Sequence, residues 1–149
     1  MNSNISTRLG YLGLPDAIFT AELDLSDSRV IDPFLGTERR INSRGQANLG
    51  FRHDITELRL SYGFDYQYPF NGGEYETDIT TVTRNYSANS LNLFISKVMF
   101  DGITFRLESD NTLDDHSCRD RERFAPSTIN GQLEEIERSC SSRGRRLIL

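Results

Sequence analysis

The sequence predicts an all-β protein, an antiparallel up-and-down meander of about seven strands, on three observations. Apolar residues recur at every second position, helical spacing is scarce, and tight turns alternate with long polar connections along the chain. At 149 residues the chain has the length of one domain, yet only 36% of it is apolar and it has no Trp, so a compact core would be thin.

The clearest strand runs from Leu58 to Tyr68. Leu58, Leu60, Tyr62, Phe64, Tyr66 and Tyr68 share one face, and Arg59, Ser61, Gly63, Asp65 and Gln67 the other. The same alternation sets Phe19, Ala21, Leu23 and Leu25 against Thr20, Glu22 and Asp24, and returns in Ile103 to Glu108. Shorter versions are Ala47 to Arg52 and Leu91 to Ile95, with a looser one over Ile5 to Tyr11 and an apolar close at Arg145 to Leu149. Tight connections are expected at Leu14 to Asp16, at His53 to Thr56 and at Phe100 to Gly102, the last carrying the Asp-Gly signal of a hairpin. Longer polar ones are expected at Ser28 to Arg44, Pro69 to about Thr77 and Phe124 to Gly131.

Alternation alone does not tell which solvent the apolar face meets. A soluble barrel turns its polar face to bulk water and carries Lys and Glu there, whereas this chain has a single lysine, Lys97. Its polar face is Gly, Ser, Thr, Asn, Asp and Arg, which suits a hydrated lumen where Arg52, Arg59 and Arg106 pair with Glu22, Asp24, Asp65 and Glu108. Tyr11, Phe19, Phe51, Phe100 and Phe105 fall near the short-turn ends and Tyr66 and Tyr68 towards the opposite rim, as interfacial girdles would. The expectation is therefore a partial outer-membrane β-barrel wall, with lipid on one face.

The order of pieces resembles the C-terminal barrel region of TonB-dependent outer-membrane receptors. The likeness rests on Leu-Pro-Asp-Ala17, then Asp32-Pro-Phe-Leu-Gly36 with Arg39 and Arg40, Phe51-Arg-His-Asp54, and a strand with Tyr62 and Gly63. It continues through Phe105 to Asn111 with Leu113 and Asp114, then Arg119 to Arg123, Glu134 to Arg138 and Arg143 to Leu147 as a final hairpin. Each motif is short and degenerate, so their order over residues 1–149 carries the resemblance.

The resemblance implies uptake across the outer membrane of a Gram-negative bacterium, of a scarce ligand such as a ferric siderophore or another large nutrient. It also implies an inner-membrane TonB-type partner acting through a plug domain, to which nothing in this sequence corresponds, so the chain is expected to be a fragment. The alternatives are a soluble lipocalin-like small-ligand barrel and a passive porin-like outer-membrane protein.

Other functions find little support. Acids outnumber bases 22 to 17 with no basic stripe, which argues against nucleic acid. No GxSxG, P-loop, GxGxxG or HExxH is present, so the chain is not expected to be an enzyme or to need a cofactor. Asp114-Asp115-His116 lacks a further metal ligand at a recognised spacing, and His53 beside Asp54 reads as a turn residue. In the long connections Arg39, Arg40 and Arg44 are the candidates for an anionic ligand or lipopolysaccharide phosphate, against plain solvated charge. Cys118 and Cys140 would face each other if the last hairpin turns near Ile129; the alternatives are a disulfide and two free thiols.

Overall fold

A computed structural model describes residues 1–33, 36–39, 45–70, 74–100, 102–128 and 131–149. The described residues form 13 strands: β1 (Asn2–Arg8), β2 (Ala17–Leu25), β3 (Val30–Ile31), β4 (Glu38–Arg39), β5 (Gly45–Ile55), β6 (Leu60–Pro69), β7 (Glu74–Thr77), β8 (Thr81–Tyr86), β9 (Ser90–Met99), β10 (Ile103–Asp110), β11 (Ser117–Ala125), β12 (Gln132–Ser141) and β13 (Arg146–Ile148). Seven of them make one antiparallel sheet in the order β1-β2-β5-β6-β9-β10-β13, which we call the wall. Among the described residues the wall does not close, because β1 pairs only with β2 and β13 only with β10.

The register shows why alternation writes so cleanly into this sheet. Cross-strand partners share a face, and the row Thr7, Phe19, Phe51, Phe64, Leu93, Ser109, Leu147 crosses all seven strands. Its neighbour Ile5, Ala21, Leu49, Tyr66, Leu91 crosses five. Phe51 stacks on Phe64 with centroids 5.8 Å apart and meets Tyr62 at 6.1 Å, which joins β5 to β6 along the aromatic side. On the other face the rows are polar: Asn4, Glu22, Asn48, Gln67, Ser90 in one, Ser6, Thr20, Gly50, Asp65, Asn92 in the next.

Gly63 on the polar face is held there by close approach. A Cβ would strike the Phe51 carbonyl oxygen and come within 2.8 Å of the Phe94 ring, its register partner. Phe94 thus fills the gap the glycine leaves, and the Arg106 guanidinium caps the ring at 4.9 Å.

Short turns close one end of the wall. Gly10–Leu12 is a 3-10 turn ended by Gly13 in the left-handed region, Thr56–Leu58 is a second ended by Arg59 at φ 47°, and Phe100 to Gly102 turns β9 into β10. The second turn corrects two expectations. β5 runs on through His53 to Ile55, and Leu58 is an exposed turn residue. His53 belongs to the strand because its ring packs edge-on against Tyr62, where its Nδ1 lies 3.0 Å from the phenol oxygen.

At the other end every connection is long: residues 26–44, 70–89 and 111–145. The first holds the two-residue pairing of β3 with β4. The other two supply a second sheet in the order β12-β11-β8-β7, the end sheet. The hairpin of β11 and β12, expected among the wall strands, lies here instead. Arg119 to Arg123 and Glu134 to Arg138 put charge on both faces, so neither strand has an apolar side to add to the wall.

Packing is shallow throughout. Ala17 and Val82 are the buried apolar residues among those described, and Leu93, Ile95, Phe105 and Leu107 stay 38–45% exposed in the middle of the wall. The chain exposes 10298 Å², against about 7,700 Å² for a globular monomer of its mass. Large apolar side chains of the wall's apolar face therefore remain exposed among the described residues.

Candidate functional site: an apolar face and a polar trough

The wall strands that matter for a site are β2, β5, β6, β9 and β10, with 9, 11, 10, 10 and 8 residues. Ten residues span about 33 Å, or about 25 Å when tilted by ~40°, the height of the apolar band of an outer-membrane barrel. Among the described residues the exposed apolar face is free of charged Lys, Arg, Asp and Glu except Lys97, which is two rungs from the end of the β9–β10 ladder.

On the polar face the sheet is concave. A hollow of about 500 Å³ is lined by Asn4, Thr20, Glu22, Asn48, Asp65 and Asn92, on β1, β2, β5, β6 and β9. Through Gln67, Ser90 and Asn92 it continues into a hollow of about 630 Å³ at the junction of the two sheets, where Asp110, Asp115 and Arg146 stand. Through Ser87, Ser117 and Ser141 that hollow continues into a third, of about 520 Å³, on the end sheet, bounded by Arg119, Arg121 and Glu137. The three form one polar trough from the wall onto the end sheet.

Charges pair along single strands in the wall and across strands in the end sheet. Arg106 pairs with Glu108 and Arg52 with Asp54 at 3.0 Å, each two residues along its own strand. The expected pairing of Arg106 with Glu108 is therefore present, while Arg52 takes Asp54 in place of the acids named from the sequence. Arg59 lies in the turn, and Glu22 accepts a hydrogen bond from the Asn48 amide at 3.3 Å. On the end sheet, Arg123 pairs with Glu135 at 3.2 Å, Arg121 with Glu137 at 3.8 Å, and Arg138 with Asp120 at 3.3 Å. Arg84 lies over the rings of Tyr75 and Tyr86 at 5.2 and 4.7 Å. Burial pushes the Tyr86 phenol above its ordinary range, an effect the nearby Arg84 charge opposes.

The junction is fastened by side chains. Asp115 accepts the backbone N–H of Asn89 at 2.9 Å and that of His116 at 2.8 Å, so its carboxyl titrates below the ordinary range. The Ser142 hydroxyl donates to Asp114 at 2.6 Å, and Asn111 donates to the Gly144 carbonyl at 3.3 Å. The Asp114-Asp115-His116 run is thus a corner that ties three connections together. No group of three or more metal-ligating side chains occurs among the described residues.

Cys118 and Cys140 occupy one rung of β11 and β12 and are joined as a disulfide, Cα atoms 4.1 Å apart. Ile129, named as the centre of this hairpin's turn, lies outside the described residues. Of the three arginines named for an anionic ligand, Arg39 is in β4 opposite Val30, its side chain outside the described residues. Arg40 and Arg44 also lie outside them. The amides Asn4, Asn48, Gln67 and Asn92 were not singled out from the sequence. Their signal was available, since each occupies a polar-face position of an alternating run.

Comparison with known proteins adds no relative: no family model, no curated protein and no solved structure matches the chain significantly.

Proposed function

We propose that the wall is a section of an outer-membrane β-barrel in a Gram-negative bacterium, its apolar face against lipid and its trough along the lumen. The observation that carries this reading is a seven-strand apolar face left exposed among the described residues, backed by a polar face with a hollow along it. A soluble lipocalin-like barrel has the opposite sidedness, with apolar residues inside. Short turns at one end and long excursions at the other suit the periplasmic and extracellular sides of such a barrel.

Within that class we take the chain to be part of a TonB-dependent receptor that imports a scarce ligand met by the long excursions. Support for this finer reading is the order of sequence pieces set out above. The partners are then lipid, an extracellular ligand and a TonB-type protein acting through a plug.

The direct test is refolding from urea into vesicles of brominated phosphatidylcholine. Tyr62, Tyr66 and Tyr68 stand on the apolar face, so tyrosine emission should fall strongly relative to unbrominated vesicles, with β-type circular dichroism. A monodisperse chain in detergent-free buffer, with emission indifferent to bromine, would sink the membrane reading. The finer reading is tested in the genome of origin: an in-frame plug-like region upstream supports the receptor, and its absence favours a passive porin-like protein.

A further inference from the structure

β12 is an edge strand of the end sheet. Its strand partner is β11, and all ten of its residues are exposed. The cross-strand ion pairs Arg121–Glu137 and Arg123–Glu135 lie in solvent, where such pairs contribute little, and in Arg138–Asp120 the arginine is exposed while the carboxylate is half-buried. A two-stranded hairpin without an apolar face is marginal in water. One covalent link stands against this, the Cys118–Cys140 bridge, on the rung where β11 also pairs with Tyr86 of β8. The hollow on the end sheet needs both strands: β11 supplies Arg119 and Arg121, and β12 supplies Glu137, Ser139 and Ser141.

From this placement we propose that Cys118–Cys140 is a redox-sensitive strap that assembles the end-sheet hollow. In the bridged form β12 stays in the sheet and the hollow is whole. A dithiol reductant reaches the exposed Cys140, forms its own disulfide, and delivers two electrons and two protons. The S–S bond breaks, Cys118 and Cys140 become thiols, and β12 peels from β11. The wall and the β7–β8–β11 ladder stay in place, because their pairing does not run through the bridge. The proposal does not depend on what solvent the wall meets.

The bridge closes a loop with a sequence separation of 22, and losing such a constraint raises the released population on the order of 100-fold. The test is hydrogen exchange by mass spectrometry on the whole chain, oxidised, treated with dithiothreitol, and as the Cys118→Ser/Cys140→Ser variant. The expected result is faster exchange confined to Gln132–Ser141 in both reduced chain and variant, restored in the wild-type chain by reoxidation. Unchanged exchange in β12 would overturn the strap, and so would loss of protection in β8 and the wall together, which marks a bridge that stabilises the whole fold. Two free thiols in the untreated chain, read by thiol titration, would also overturn it.

Discussion

The wall and the end sheet are both antiparallel, and the chain passes back and forth between them, yet they solve different problems. In the wall each strand separates two environments, apolar on the Phe51–Phe64–Leu93 side and amide-lined on the Asn48–Gln67–Ser90 side. In the end sheet β11 and β12 carry arginine and glutamate on both faces, and stability comes from a covalent rung and a buried patch at Val82, Thr83 and Thr128. On the proposed reading the wall borders two media and needs little core of its own, whereas a sheet with charge on both faces must be tied.

The comparison can be broken most decisively by moving a charge between the faces of one strand. Leu93→Arg places a cation mid-strand on the apolar face and should cost about 2–4 kcal/mol of folding free energy in vesicles, read by urea titration. Asn92→Arg, one residue away on the trough side, should cost less, about 1 kcal/mol, for the hydrogen bond that the Asn92 Oδ1 accepts from the Asn111 backbone N–H. Equal costs would mean the two faces meet the same solvent. Next comes Gly63→Ala, whose Cβ would collide with the Phe51 carbonyl and the Phe94 ring. Refolding titrations should show a loss of about 1–3 kcal/mol, and Phe94→Ala in the same chain should recover part of it.

At the junction, acid should loosen the tie between residues 89 and 115. The Asp115 carboxyl is depressed in the fold, so its contribution is complete above its unfolded pKa of about 4 and is lost as pH falls through the lower folded value. The protection factor of the Asn89 amide, its exchange corrected for the intrinsic rate at each pH, should therefore fall in acid in the native chain, and Asp115→Asn should remove that dependence. The smallest effect is expected at Arg123→Ala. Its pair with Glu135 is about half exposed on both sides, and a chemical melt should move by no more than about 0.5 kcal/mol.

What the sequence made legible follows the same division. Leu60 to Tyr68, Phe19 to Leu25 and Ile103 to Glu108 could be read as strands because each wall strand records two environments in alternate letters. Arg119 to Arg123 and Glu134 to Arg138 record one environment twice, so nothing in them separates an end-sheet strand from a wall strand. His53 misled for a related reason: beside Asp54 it looks like turn chemistry, while its true partner, Tyr62, is set by register across the turn. The trough was legible only as a polar face, because its hollows arise from curvature, which no residue pattern states.

The wall's strand count has a geometric consequence. Seven strands alternating in direction leave the two edge strands, β1 and β13, running the same way. Bringing these edges together would pair them parallel, and so would setting a copy rotated about the barrel axis beside the first. Any ring that stays antiparallel throughout must therefore insert an odd number of further strands between β13 and β1.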